Sequence, residues 1–233
     1  MKQPTGYLLH EGITNGSPFV AIATLSTANR KTGNMVQVWF LLRDVNPVQA
    51  VQEAIDADTV CNGCPFASGK GCYVNVGQAP LAIWKGYHRG IYPTLHPKDY
   101  ATVFSGRKVR FGAYGNPSLL PVAMVKAIAQ ASSGWTGYFH DWRSNPYAKE
   151  YAKYFMASTE TESSYKMAKS LSFRVFHVSP NKPADAVECL ADSTNGRVQC
   201  ATCRLACNGG ERRNVWIAPH GSRENKAIQV SLT

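Results

Sequence analysis

The sequence predicts an α/β protein: a TIM-like or partial (βα) barrel, with an N-terminal β-hairpin extension over residues 1–42 and a C-terminal cysteine cluster. Three observations carry this reading. Short runs rich in β-branched and aromatic residues alternate with helical patterns, which indicates βα units and a parallel sheet. The units are short and nearly regular, about six or seven of them, which suits a barrel or partial barrel better than a two-lobed sheet. No G-x-G-x-x-G fingerprint follows a strand, which weakens a dinucleotide-binding reading. No linker or low-complexity stretch interrupts the chain, so residues 1–233 read as a single domain, with residues 43–233 as its core.

Residues 19–25 (FVAIATL) and 35–42 (MVQVWFLL) read as the strands of the hairpin, and 29–34 (NRKTGN) has turn chemistry. A helix is expected over 48–57, a short strand over 72–76 and a helix over 81–89. Residues 108–113 form the next strand, which ends in Tyr114-Gly115-Asn116-Pro117, and a helix over 118–131 follows. Strand 135–139 precedes a helix over 146–154, with Asn145 as its N-cap and Pro146 at its first position. Strand 155–158 precedes a helix over 162–171, for which Thr159 and Glu162 have the form of a capping box. Strand 173–178, a short helical stretch over 200–207 and a last strand over 215–218 complete the series.

Right-handed crossovers place all parallel strand C-termini on one face, where the active sites of such folds sit. Titratable groups gather at those ends. Asp141 and Glu160 follow adjacent strands and are candidates for an acid and base pair, with His140 and His177 as alternates. That pairing suits a hydrolase, including one acting on a glycosidic bond. Tyr114, Tyr138 and Trp142 are placed to stack on a sugar or base, or to fill the core. Capping explains Glu162, and hydrogen-bonded barrel positions explain the two histidines equally simply.

The seven cysteines form two bunches. Cys61, Cys64 and Cys72 read C-x2-C-x7-C; Cys189, Cys200, Cys203 and Cys207 read C-x10-C-x2-C-x3-C. Short spacings let thiolates converge on one centre, so all seven are candidate metal ligands. Zinc takes four such ligands; an iron–sulfur cubane takes four, or three with one iron left open. The compact run from Cys200 to Cys207 favours an iron–sulfur cluster, 4Fe-4S, over zinc. His88 and His96 are the nearest histidines after the first group, and a single site shared by Cys61/Cys64 and Cys200/Cys203 is a further arrangement.

Charge and composition bound the partners. Twenty-five Lys and Arg against fifteen Asp and Glu give +10, which allows a nucleic-acid partner. Yet the basic residues are spread along the chain; the densest spots are Arg107, Lys108 and Arg110, and Arg212 with Arg213. No apolar run approaches the ~20 residues of a membrane span, and the first residues lack a secretory pattern. A cytoplasmic protein with no membrane partner is expected, acting on a small-molecule or saccharide substrate or on nucleic acid.

From about Asn29 onward the chain resembles a family of uncharacterised phage-encoded iron–sulfur proteins. The resemblance rests on residues 29–34 (NRKTGN), 61–65 (CNGCP), 72–74 (CYV), 110–117 (RFGAYGNP), 135–138 (WTGY), 156–159 (MAST) and 173–176 (FRVF), then the last cysteines and His220-Gly221. It implies an iron–sulfur protein on an incomplete α/β barrel, in a host cytoplasm, with hydrolysis as the enzyme class. Two departures stand out. This chain has Asn116 where the family tends to have Asp, and its last cysteine spacing is wider. The expected function is therefore an iron–sulfur hydrolase with its site at the strand C-termini. The alternative is a metal-stabilised nucleic-acid-binding or host-regulating protein without catalysis.

Overall fold

The computed structural model describes residues 4–232, and within them nine strands join into one sheet. Strands β1 (Gly6–Thr14), β2 (Ser17–Thr24) and β3 (Val36–Leu42) form an antiparallel meander. From β3 onward the sheet is parallel, through β4 (Lys108–Tyr114), β5 (Gly134–Phe139), β6 (Met156–Thr159) and β7 (Val175–Val178). The last two strands swap places: β9 (Asn214–Ile217) pairs with β7, and β8 (Ala186–Glu188) lies outside it.

The sheet is open, which corrects the closed form of the expected barrel: β1 and β8 are its edges. The reason is local. Closure would bring a late parallel strand to the free edge of β3, but β2 already occupies that edge. The expected hairpin is present, pairing Phe19 with Leu42 through Thr24 with Gln37. It gains a third strand that the sequence reading missed, joined by Asn15-Gly16. Both residues have positive φ (45° and 77°), the conformation a two-residue hairpin turn demands.

The helices are shorter than expected. The predicted helix over 48–57 breaks into α1 (Pro47–Gln52) and α2 (Ile55–Asp58), because Ala54 between them takes φ 58°. The predicted strand over 72–76 is irregular. Next come α3 (Ala79–His88) and an unanticipated α4 (Tyr100–Phe104). Helix α5 (Val122–Ala131) starts after Pro121, with a separate 3-10 turn at Pro117–Leu119. Helix α6 (Ala148–Tyr151) is a single turn. Helix α7 (Glu162–Ser170) is capped by Thr161 and Ser164 in a reciprocal capping box, not by Thr159. The chain ends in α8 (Leu190–Ser193) and α9 (Glu224–Leu232). Residues 200–207 form turns rather than a helix. No helix among the described residues is long and apolar enough to cross a membrane.

Side chains alternate across the strands with period two. On one face Phe111, Phe139, Phe155 and Val175 pack with Val125 and Ile128 of α5 and Tyr151 of α6. The other face presents Arg110, Tyr114, Tyr138, Ser158, Phe176 and Ile217 to a cavity. These are called the helix face and the cavity face below.

Candidate metal and ligand site

Both cysteine groups open on one cavity of about 190 Å³. Cys61, Cys64 and Cys72 wall one side; Cys189 and Cys200 wall the other. All seven cysteines are free thiols.

The first group is built by the loop after α2. Asp56 anchors it: its carbonyl accepts from the Cys61 N–H (2.8 Å), and its carboxylate accepts from Ser68 Oγ (2.6 Å) and the Tyr114 hydroxyl (3.3 Å). The Cys64 N–H donates to the Cys61 carbonyl (2.8 Å), and the Cys72 N–H to the Phe66 carbonyl (2.9 Å). Gly63 sits at φ 75°, and a Cβ there would lie 3.0 Å from the Cα of Asp141. Only glycine lets the loop press this closely on the end of β5. Asn116, fully buried, ties the same parts together. Its Nδ2 donates to the Asn62 carbonyl (3.1 Å), its Oδ1 accepts from the His140 N–H (3.4 Å), and its own N–H donates to the Val60 carbonyl (2.7 Å). An Asp at this position would have no side-chain donor for the Asn62 carbonyl, so the amide is what closes this contact.

The second group is held by three elements distant in sequence. The Cys189 N–H donates to the Trp216 carbonyl (2.8 Å). The Cys200 and Ala201 N–H groups donate to the carbonyls of Lys31 and Thr32 (both 3.0 Å), so the β2–β3 turn is docked on this segment. The Cys207 carbonyl accepts from the Gly137 N–H (2.8 Å) on β5. Arg174, buried at the start of β7, donates to four backbone carbonyls: Arg213 (3.0 Å), Ala206 (2.6 Å), Asn208 (2.9 Å) and Leu205 (2.9 Å). One guanidinium thus fixes the turns that follow Cys203.

The thiols influence one another within each group. Burial raises the Cys61 thiol well above its ordinary range, and the neighbouring Cys64 adds to this. Burial pushes Cys207 up to about 12, with Cys189 and Cys200 adding. Burial also raises Cys64 and Cys189, and the nearby backbone N–H groups of Phe66 and Ala67, and of Asp192 and Ala191, oppose the rise. Among the described residues, no three His, Cys, Asp or Glu side chains converge on a single ion position. His88 packs on Trp84 and sits 2.8 Å from the Arg43 carbonyl; neither it nor His96 lines the cavity. His220 does, stacked on Tyr73 at 5.0 Å between ring centroids.

The four expected acid–base residues separate. Asp141 is buried and bound on both oxygens by Ser118 Oγ (2.9 Å each) and on one by Asn145 Nδ2 (2.7 Å). Glu160 pairs with Arg143 at 3.0 Å; burial raises its carboxyl and Arg143 opposes the shift. Neither carboxylate lines the cavity. His177 points to the helix face, its Nδ1 2.8 Å from Thr159 Oγ1 and its ring against Tyr165 of α7. His140 lines the cavity, and burial lowers its pKa to about 4, so its imidazole is neutral at pH 7.

The structure adds Arg110, Tyr73, Lys31 and His220 to the cavity wall. Arg110 had a sequence signal: a charge between the apolar Val109 and Phe111 inside a strand. The basic stretch around it does not form one surface, since Arg107 donates to the Leu25 carbonyl (3.3 Å) while Arg110 lines the cavity. No family model, curated protein or solved structure matches this chain.

Proposed function

We propose that this chain is an iron–sulfur protein with a hydrolytic site in the cavity between its two cysteine groups. The observation that carries the reading is that five cysteines, from segments far apart in sequence, wall a single cavity. In this reading Cys189, Cys200, Cys203 and Cys207 would hold one 4Fe-4S cluster and Cys61, Cys64 and Cys72 a second, each cluster drawing together sulfurs that do not converge on one point in this structure. A cluster with three protein thiolates supplies an open iron that acts as a Lewis acid. The protein supplies the rest. Backbone N–H groups near the Cys64 and Cys189 sulfurs favour negative charge there. His140, neutral and at the wall, would be the proton acceptor for an attacking water, a weak base that the negative charge of a bound group would strengthen.

Anaerobic purification with a visible spectrum and with iron, sulfide and zinc counts tests the cofactor. A brown protein with matching iron and acid-labile sulfide is expected; a colourless protein with stoichiometric zinc, or none, overturns it. Turnover of p-nitrophenyl phosphate and p-nitrophenyl acetate tests the chemistry. His140→Gln should lower it about a hundredfold with iron unchanged. A loaded protein that hydrolyses neither ester removes the hydrolytic half of the reading.

A further inference from the structure

The cavity wall carries a guanidinium that no carboxylate among the described residues pairs. Arg110 stands on β4 between Val109 and Phe111, both fully buried on the helix face, so the pleat turns it to the cavity. A guanidinium is protonated at any physiological pH and presents five donors in a planar fork. Among the described residues it has no carboxylate partner; its hydrogen bond is to the Tyr73 hydroxyl, at 2.7 Å. Tyr73 is in turn held by its stack on His220. The other cation of the wall, Lys31, is already paired with Asp192. Within the wall, then, one cation is neutralised and one is not. A half-buried guanidinium with no carboxylate beside it leaves donors of its fork open to an anionic ligand.

We propose that the cavity takes a small molecule bearing a carboxylate or phosphate group, and that Arg110 binds that group. The inference deepens the reading of this cavity as the ligand site, and rests on it. Planar, bidentate recognition of such groups is what arginine does better than lysine. Tyr73 holds the fork in place, and neutral His140 and the phenols of Tyr114 and Tyr138 line the same space for the remainder of the molecule. The competing role for Arg110 is to neutralise thiolate charge at Cys200, and the two roles differ in what a substitution removes.

The test uses the full chain as purified anaerobically, at low ionic strength, with inorganic phosphate and succinate as separate probes in equilibrium dialysis. One saturable site is expected for at least one probe, unaffected by matched chloride. Arg110→Met should weaken it roughly tenfold to a hundredfold, the loss expected for a charged hydrogen-bonding partner. Tyr73→Phe, which keeps the charge and removes the hydroxyl, should weaken it about threefold. Iron and sulfide counts should be the same in all three proteins. No saturable binding of either probe to the parent chain overturns the proposal. So does unchanged binding in Arg110→Met, and so does loss of iron together with binding, which makes Arg110 the counter-charge of the thiolates. If Arg110→Met does not fold, the parent chain and Tyr73→Phe decide the matter alone. A metal-free protein that still binds phosphate through Arg110 would remove the cluster reading and leave this one standing.

Discussion

On the helix face of the sheet, Phe111, Phe139 and Phe155 meet in tilted pairs and close over with α5 and α6. On the cavity face the same strands present Arg110, Tyr138, Ser158 and Phe176 to a space walled by cysteines. One face is hydrocarbon fitted to hydrocarbon, and its stability follows from buried area. The other is covered by loops with little regular structure, fixed by Asp56, Asn116 and Arg174 through backbone hydrogen bonds. The difference teaches which face is the scaffold: the packed face carries the stability, and the polar, thiol-lined face is the one the proposed site uses.

The sharpest way to break that division is to damage the helix face. Phe139, fully buried against Tyr151, Phe155 and Phe173, should lose about 3–5 kcal/mol on Phe139→Ala, as large core truncations do. Urea unfolding before and after chelation should give the same loss. A loss that depends on chelation would mean that the two faces are one energetic unit. Arg174→Met strikes the other side. It strands four carbonyls, at about 3 kcal/mol. In the chelated protein, alkylation of Cys203 and Cys207 should speed up while that of Cys61, Cys64 and Cys72 stays slow. Equal acceleration in both groups would show that they are not separately held.

Acid tests the helix face through His177. Burial lowers its pKa from 6.5 to about 4. Above pH 6.5 the ring is neutral whether the chain is folded or not, and its packing contributes fully. As pH falls from 6.5 toward 4 the unfolded chain takes up the proton first, so stability drops by about 2 kcal/mol over that window, allowing for partial solvent access. His177→Gln should flatten the urea midpoint across that range; an unchanged slope would mean that the ring is not buried neutral. Next in size is Asn116→Asp. It removes the donor to the Asn62 carbonyl and sets a carboxylate against it, for a loss of about 1–2 kcal/mol. Hydrogen exchange should rise around Cys61 and Cys64 and stay constant in α5. A stabilised variant would refute the role given to this amide.

How much of this was legible before the structure follows the same division. The helix-face strands announced themselves, because β-branched and aromatic runs at regular intervals are a local signal. The cysteine spacings likewise showed two groups. Other features depend on contacts between distant segments. β1 mixes Gly6, His10, Glu11 and Gly12 into its pattern, and its one clear sign was the Asn15-Gly16 turn. Residues 72–76 read as a strand because Tyr73, Val74 and Val76 favour β structure, yet a thiol loop claims them. Asp141 and Glu160 do stand at strand ends, but Ser118, Asn145 and Arg143 bind them, and no spacing rule shows which side of the wall they face. That two cysteine groups share one cavity follows from contacts between segments far apart in sequence, which no local spacing shows.

The smallest effect concerns the seam where the N-terminal meander meets the second cysteine group. The turn between β2 and β3 is more than a hairpin connection: Lys31 pairs with Asp192, Arg30 donates to Asn195 Oδ1 (2.7 Å), and the carbonyls of Lys31 and Thr32 accept from Cys200 and Ala201. The ion pair is partly exposed, so Lys31→Met should change stability by less than about 1 kcal/mol. The backbone bonds survive the substitution, and they carry the docking. Thermal unfolding should therefore barely move. Replacing Thr32 by proline leaves its carbonyl in place but removes its N–H, which the Asn29 side chain now holds at 3.2 Å. That variant should loosen the turn and expose Cys200 to alkylation where Lys31→Met does not. If the lysine substitution alone exposes Cys200, the seam is held by charge, and the cavity face owes less to its backbone than the other contacts indicate.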